Sequence, residues 1–177
     1  HEGHEYNIEH QGSRWLIISN DSNDDQGLHD QRAQNFKLMS TPIDQTEISN
    51  WTEVIPHRDT VQLMGIEGFK DHFVLFEREG GLEYMRVVQQ NTILRDRNQE
   101  KNIDLRIPMP EPVFSVWGSE NPNYASTTFR YGYTSLTAPT SYYDYDIKQN
   151  KSTLLKEIEV FGYDRSQYVS ERIWATS

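Results

Sequence analysis

Few residues in this chain have the types and spacing that acid–base or nucleophilic chemistry requires. Histidines stand close to acids at two places, His57 with Asp59 and His72 with Asp71, and such a pair can orient a base for a serine nucleophile. Many serine hydrolases present that serine in a Gly-x-Ser-x-Gly turn, which the sequence does not contain. The nearest Gly-Ser pairs, both typical of turns, are Gly12-Ser13 and Gly118-Ser119. Spacing alone leaves open a triad assembled from distant residues, but we predict no catalytic residue.

Two groups of side chains carry donors that metal ions prefer. The first combines imidazoles and carboxylates, which can bind zinc, and consists of His1, Glu2, His4, Glu5, Glu9 and His10. The spacing of His1 and His4 is one residue short of the helical His-Glu-x-x-His pattern. The second group, Asp21, Asp24 and Asp25, lacks the alternating ligands and the closing Glu of an EF-hand loop. We interpret the first group as a frayed terminus followed by an edge strand and the second as a solvated acidic loop, and we predict no metal and no cofactor.

Tyrosines are concentrated near the end of the chain, at Tyr131, Tyr133, Tyr142, Tyr143 and Tyr145. Such a group can form a carbohydrate platform or an aromatic cage. On paired strands, however, aromatic side chains more often pack across the strands. We favour cross-strand packing and keep ligand binding as the alternative.

Composition excludes several classes of function. The chain has 177 residues, no cysteine and a formal charge of -10, so disulfides and thiolate zinc sites are excluded and a nucleic-acid surface is disfavoured. No apolar run approaches the roughly 20 residues that span a bilayer, so we expect no membrane partner. The lack of cysteine fits a reducing compartment, and we predict a cytoplasmic protein. The acidic excess would attract cationic peptides.

The elements that position these residues are predicted to be strands. Period-two alternation and turn residues predict twelve of them. The candidates are Glu5–Gln11, Ser13–Asp21, Asn35–Ile43, Trp51–His57, Val61–Phe69, His72–Gly80, Leu82–Gln90, Asn102–Pro108, Val113–Ser119, Thr127–Ser135, Ser141–Ile147 and Ser152–Val160. The last of these is helix-compatible by propensity, but its position favours an outer strand. The aromatic stretches Glu159–Asp164 and Tyr168–Trp174 also look like paired strands.

The strand candidates form three successive four-strand units, at residues 5–57, 61–108 and 113–160. The apolar runs Trp15–Ile18 and Phe73–Phe76 suit strands that are buried on both faces, and Gly80-Gly81 is a hairpin signal. A spacing of about 45–55 residues is typical of propeller blades. We predict an all-β partial β-propeller of about three four-stranded antiparallel blades. A β-sandwich of twelve strands would have a similar sequence pattern. The long segment Asn20–Gln34 is predicted to be a mobile loop.

Several stretches follow one another in the order and spacing of a known family. They are His4–His10, Arg14–Asn20, Asn35–Leu38, Trp51–Pro56, Glu77–Leu82, Arg130–Ser135 with Pro139, Val160–Tyr163 and Ser170–Trp174. Together they resemble the propeller of the oligopeptidase B group within the prolyl oligopeptidase family of serine peptidases. The segment Arg130–Ser135 is the most specific part of the resemblance. The segment Asn20–Gln34 departs from it by being longer.

The resemblance implies a seven-bladed propeller that caps an α/β-hydrolase domain and admits only peptides or unfolded segments. Residues 1–167 would then be the last three blades, and residues 168–177 would be a connector toward the catalytic domain. The catalytic Ser, Asp and His would lie downstream of Trp174, so the chain alone should be inactive. The resemblance further implies that the parent endopeptidase cleaves short peptides after basic residues.

These observations leave two rival functions. One is a self-contained β-sandwich that binds a ligand with its tyrosine-rich strands. The other is an independent enzyme that uses scattered His and Asp residues. A partial propeller would in addition leave apolar end faces uncovered, so we expect the chain to self-associate. Its main partners are predicted to be the catalytic domain of the same parent chain and, in the parent, peptide substrates.

Overall fold

A computed structural model describes residues 3–21, 33–89 and 103–176. Over these residues the chain forms twelve strands in three separate four-stranded antiparallel sheets. The first sheet contains β1 Tyr6–Gln11, β2 Arg14–Ser19, β3 Lys37–Pro42 and β4 Thr52–Ile55. The second contains β5 Val61–Gly68, β6 Phe73–Glu79, β7 Leu82–Gln89 and β8 Ile103–Arg106. The third contains β9 Ser115–Gly118, β10 Thr128–Thr134, β11 Ser141–Asp146 and β12 Lys151–Glu157.

Within each sheet the strands pair in chain order. The first sheet packs face to face on the second, and the second packs with its other face on the third. This is the arrangement of successive propeller blades, so the predicted partial β-propeller is confirmed, and we refer to the sheets as blades 1, 2 and 3. The β-sandwich alternative is wrong, because three sheets rather than two are stacked. All twelve predicted strands are present, and their ends differ from the predicted ones by a few residues.

The second blade is buried on both of its faces, as its apolar run predicts. In β6 the side chains of Phe73 and Leu75 join the core between blades 1 and 2, while Val74 joins the core between blades 2 and 3. All three are fully buried. Because successive side chains of a strand point to opposite faces, a continuous apolar run serves two cores at once.

Two glycine positions are required by the local geometry. Gly80 and Gly81 form the β6–β7 turn with φ of 54° and 81°, as the tight hairpin predicted from Gly-Gly demands. Gly132 in β10 lies under the indole of Trp117, and a Cβ there would lie 2.2 Å from Trp117 Cε2. Only glycine lets that ring lie flat on the strand.

The end of the chain differs from the sequence prediction. Residues 158–176 form no strand, so the expected strands at Glu159–Asp164 and Tyr168–Trp174 are wrong. One 3-10 turn, Arg165–Gln167, interrupts an otherwise irregular path, and a second 3-10 turn, Ile48–Asn50, lies between β3 and β4. Most of the predicted loop Asn20–Gln34 lies outside the described residues.

The outward faces of the two end blades are not alike. On blade 1, Tyr6 and Ile8 are 63% and 50% exposed and lie, by register, on the face turned away from blade 2. The corresponding face of blade 3 carries the ion pair between Arg130 and Asp144, at 2.8 Å. The outward face of blade 1 thus exposes apolar side chains, whereas that of blade 3 combines this ion pair with the Trp117 ring over Gly132.

Candidate functional site

The antiparallel order of the strands places the connections on two opposite faces of the blades. The upper loop face, as we name it, carries residues 12–13, 43–51, 69–72, 119–127 and 147–150. The lower loop face carries residues 56–60, 80–81, 107–114 and 135–140. Contacts between blades agree with this division, because Gly12 N donates to the Tyr124 hydroxyl at 2.7 Å and Lys70 N donates to Tyr124 O at 2.9 Å.

Residues 158–176, here called the C-terminal segment, are fixed to the lower loop face. The Tyr163 hydroxyl donates to Thr137 O at 2.7 Å, and Arg165 pairs with Glu111. Farther along, Arg172 donates to Gly80 O at the tip of the β6–β7 hairpin. The segment therefore runs from blade 3 across to blade 2 along one face.

The contact at Glu111 is supported electrostatically. Burial acts to raise the pKa of Glu111, but hydrogen bonds from Ser135 and Thr137 and the charge of Arg165 outweigh it and hold that pKa below its usual range. The Thr137 hydroxyl donates to Glu111 Oε2 at 2.8 Å. The carboxylate thus remains ionised and joins three parts of the lower loop face.

The lower loop face exposes an unusual amount of apolar surface. Of the sixteen large hydrophobic side chains that are exposed among the described residues, eight lie there. They are Leu136, Ile158, Val160, Phe161, Tyr168, Val169, Ile173 and Trp174. Phe161 is 99% exposed and Ile173 is 87% exposed. Large exposed apolar patches mark surfaces that bind other proteins or domains, and we call this set the docking surface.

Arg172 and Trp174 give the docking surface local order. The guanidinium carbon of Arg172 lies 4.3 Å from the centroid of the Trp174 ring, which is a cation–π contact. The same guanidinium reaches Gly80 O, so the exposed indole is held next to the hairpin tip. Arg172 therefore makes the contact that anchors this part of the C-terminal segment to blade 2.

The candidate catalytic histidines hold structural positions. His57 accepts a hydrogen bond from Asn35 N at 3.2 Å and lies 3.7 Å from Asp59. His72 stacks on Phe69 with ring centroids 4.5 Å apart. Burial lowers the pKa of His72 to about 4, opposed only by the charge of Asp71. The two histidines lie on opposite loop faces and do not form a shared site.

The described residues contain no group of three or more His, Asp and Glu side chains arranged to hold a metal ion. His4 contacts the Ser19 hydroxyl at 2.9 Å, and His10 packs on the Trp15 ring with centroids 5.3 Å apart. His1, Glu2, Asp24 and Asp25 lie outside the described residues.

The tyrosines pack across strands, as favoured from the sequence. Tyr131 is paired with Tyr143 in the β10–β11 register, and their rings stack with centroids 5.4 Å apart. The Tyr131 hydroxyl donates to Ser152 Oγ, and the Tyr145 hydroxyl donates to Asn150 Oδ1, both at 2.8 Å. Tyr131, Tyr133 and Tyr145 are buried in the core between blades 2 and 3. They form no exposed carbohydrate platform.

Sequence reasoning missed a buried carboxylate between blades 1 and 2. Glu77, in the charged β6–β7 hairpin, is fully buried and pairs with Arg58, with Arg86 at 3.2 Å and with Arg106 at 3.1 Å. Burial acts to raise the pKa of Glu77, but the hydrogen bonds and charges of Arg58 and Arg86 outweigh it and lower that pKa. This cluster joins the β4–β5 connection to three strands of blade 2.

Comparison with known proteins agrees with the arrangement of blades. Residues 1–158 match the family model for the N-terminal β-propeller domain of prolyl oligopeptidase. The chain belongs to the prolyl oligopeptidase family. Within this family it is 34% identical over 171 residues to dipeptidyl aminopeptidase BI of Pseudoxanthomonas mexicana. The aligned region covers 97% of the chain and 21% of that protein. It is 25% identical over 172 residues to protease 2 of Moraxella lacunata, and this alignment covers 97% of the chain and 22% of that protein.

Solved structures of the family show the same fold. Oligopeptidase B from Trypanosoma brucei, with covalently bound antipain in a closed form, matches with a TM-score of 0.77 and 24% identity over 96% of the chain and 22% of that structure. Oligopeptidase B from Leishmania major matches with a TM-score of 0.76 and 24% identity over 94% of the chain and 22% of that structure. The chain thus spans about a fifth of the length of its relatives. Among the described residues, no helix has the length and apolarity needed to cross a membrane.

Proposed function

We propose that this chain is the last part of the propeller of an oligopeptidase B-like peptidase, and that its docking surface receives the α/β-hydrolase domain of the same parent chain. The observation that carries the proposal is the concentration of exposed apolar side chains on the C-terminal segment and the adjoining loop. The family model ends at residue 158, and six of the eight side chains of the docking surface follow that residue. Residues 168–177 serve as the connector.

The catalytic domain is a better occupant for this surface than an unrelated protein. The segment remains attached to the blades through Arg165 and Arg172, so a domain that follows it in sequence would begin next to the surface. Relatives are about five times as long as this chain, which leaves ample length for such a domain. When the catalytic domain covers side chains such as Phe161 and Trp174, their apolar area is removed from water. Each Å² of that area stabilises the docked state by about 25 cal/mol.

In this proposal the propeller has no reactive groups and acts by shape. It covers the active site of the attached domain and excludes folded proteins, while peptides pass. Cleavage after Lys or Arg belongs to the catalytic domain, and the acidic surface of this chain, with its formal charge of -10, favours the approach of such cationic peptides. The lack of cysteine supports a cytoplasmic location.

The docking proposal is tested in the parent peptidase with the substitutions F161D and I173D. A buried, unpaired carboxylate costs several kcal/mol, so each substitution should loosen the domain contact. We expect the rate of cleavage of a folded protein to rise relative to that of a short basic peptide. The matched control is I48D, which places the same charge on an exposed isoleucine of the upper loop face. Unchanged size selectivity in F161D and I173D, or an equal change in I48D, would contradict the proposal.

A second activity is favoured by the 34% identity to a dipeptidyl aminopeptidase. The parent would then remove dipeptides from a free amino terminus instead of cleaving internally. Two fluorogenic peptides of the same sequence, one with a free and one with an acetylated amino terminus, separate the two activities. An endopeptidase cleaves both, whereas a dipeptidyl aminopeptidase cleaves only the free peptide.

Two properties of the isolated chain follow from the proposal. It should hydrolyse neither ester nor peptide substrates, and detectable turnover that purification does not remove would contradict a purely structural role. It should also self-associate through the blade 1 face around Tyr6 and Ile8. Light scattering of the I8D variant should then show a smaller mass than the unsubstituted chain at the same concentration, and a strictly monomeric unsubstituted chain would refute the self-association.

A further inference from the structure

A cleft of about 690 Å³ opens on the upper loop face between blades 1 and 2. Its walls come from the β1–β2 turn, the β3–β4 connection and the β5–β6 connection. Hydroxyl and amide side chains line much of it, among them Ser13, Ser40 and Thr52, and Arg14 and Lys70 bring positive charge. It is separate from the docking surface, which is on the opposite face.

Arg14 is held in this cleft by a buried neutral partner. Gln11 is 6% exposed, and its amide nitrogen donates to Phe69 O and His72 O, both at 2.7 Å. Its amide oxygen is therefore fixed, and it accepts from Arg14 Nε at 3.2 Å and from Arg14 Nη2 at 2.6 Å. These bonds orient the guanidinium but use only one side of it, and they leave the Nη1 donors without a protein partner in the described residues.

Arg14 also lacks the carboxylate partner that most of the described arginines have. Six described arginines form ion pairs with carboxylates, namely Arg58, Arg78, Arg86, Arg106, Arg130 and Arg165. No carboxylate of the described residues lies within 4 Å of Arg14, although Asp71 is on the cleft wall. Burial lowers the pKa of Arg14, and only the charge of Tyr124 opposes this effect. Arg14 is half-buried, so its guanidinium loses part of its hydration without gaining an anionic partner, which is costly for a cation.

We propose that this cleft is an oxyanion-binding site in which Arg14 is the principal ligand and Lys70 adds charge at the rim. A guanidinium with a free edge binds a carboxylate or a phosphate through charge-assisted hydrogen bonds. The hydroxyls of Ser13 and Ser40 supply further donors, whereas the Thr52 hydroxyl already donates to Ser40 O at 3.1 Å. The ligand is a compact oxyanion, either the carboxylate of a peptide or free phosphate. Because the cleft is on the upper loop face, the proposed docking of a catalytic domain leaves it open.

The test titrates the chain with three probes at low ionic strength and follows backbone amide resonances. The probes are inorganic phosphate, acetyl-dialanine with a free carboxylate, and acetyl-dialanine amide. We expect the first two to shift the amide resonances of Gly12, Ser13 and Lys70, and the amide probe to bind at least about tenfold more weakly, since a charged hydrogen bond is lost. Tighter binding of phosphate than of the peptide acid assigns the site to phosphate, and the reverse assigns it to a peptide carboxylate.

Substitutions identify the ligand residue. R14M should weaken binding of the charged probes by about tenfold or more, whereas R78M, which removes the same charge from an exposed pair with Glu83, should leave it unchanged. If R14M does not fold, R14K keeps a charge but loses the planar fork and should give a smaller loss. Equal binding of the acid and amide probes, equal loss in R14M and R78M, or shifts confined to Gly80 and Gly81 would each overturn the proposal.

Discussion

Replacing Glu77 by Gln tests how blades 1 and 2 are held together. The side chain is fully buried, and three arginines donate to its carboxylate; among the described residues, Arg58 is the one of the three with no other carboxylate partner. Gln keeps the shape but removes the charge and presents an NH2 group to an arginine. Breaking a buried ion pair by changing one partner costs about 3–5 kcal/mol. Because Arg86 retains Asp104 and Arg106 retains Glu79, we expect a loss of about 3 kcal/mol in the free energy of unfolding.

Urea unfolding, followed by tryptophan fluorescence, measures this loss. With a slope of about 1–3 kcal/mol per M, the midpoint of E77Q should fall by at least about 1 M. The control is E83Q, which breaks the exposed pair of Arg78 and Glu83 and should cost less than about 1 kcal/mol. If E77Q is too unstable to fold, R58Q removes one donor and leaves Arg86 and Arg106 on the carboxylate. A change in E77Q no larger than that in E83Q would show that the buried ion pairs of Glu77 do not stabilise the fold.

The stabilisation that Glu77 contributes depends on pH. The pKa of Glu77 in the folded chain is lowered, so the folded state binds fewer protons there than the unfolded state. The stabilisation is therefore present above the unfolded pKa of about 4.3 and is lost as the pH falls through the lower folded value. Unfolding midpoints of the unsubstituted chain should drop more steeply below about pH 4.3 than those of E77Q. Parallel curves would contradict the assignment.

Two further predictions concern Gly132 in blade 3 and Glu67 in blade 2. G132A should destabilise the chain by about 1–3 kcal/mol, because the new Cβ would meet the Trp117 ring. The control is G65A, where the atom nearest to the new Cβ is 3.4 Å away, and thermal unfolding of this variant should show little change. Equal effects of the two substitutions would contradict the proposed contact with Trp117. For Glu67, burial is the main cause that raises its pKa to about 7, with a contribution from the charge of Glu9 and an opposing hydrogen bond from Asn121. The folded state therefore holds its proton longer than the unfolded state, and the unsubstituted chain should lose stability as the pH rises from about 4.3 to 7. E67Q should remove this loss and be more stable at pH 8 by ~1 kcal/mol after allowance for partial exposure, whereas at pH 4 the two should be equal; a gain that is the same at both pH values would rule out titration of Glu67.

Local patterning predicts the strands of this fold well, because the order of apolar and polar residues in a strand reflects which of its faces are buried. The run Phe73–Phe76 indicates a strand with two buried faces, and the structure confirms it. The same logic fails for Glu159–Asp164 and Tyr168–Trp174. Their aromatic and β-branched residues have the composition of strands, but β-propensity depends on a neighbouring strand, and none pairs with them.

Side-chain clusters that join distant parts of the chain are not predictable in this way. Glu77 belongs to a charged hairpin that looks exposed, and its burial depends on Arg58, Arg86 and Arg106, which are 9 to 29 residues away. The position of Arg14 is likewise set by Gln11, whose own partners lie 58 and 61 residues away. Spacing along the sequence carries no signal for such contacts.

The docking surface is tested most directly by amide hydrogen exchange, comparing this chain alone with the same residues in the parent peptidase. We expect slower exchange in the parent for the C-terminal segment and for residues 135–140. We expect no change on the upper loop face at residues 43–51 and 147–150. Equal exchange of the C-terminal segment in both proteins, or protection of the upper loop face instead, would contradict the claim that the catalytic domain docks on the lower loop face.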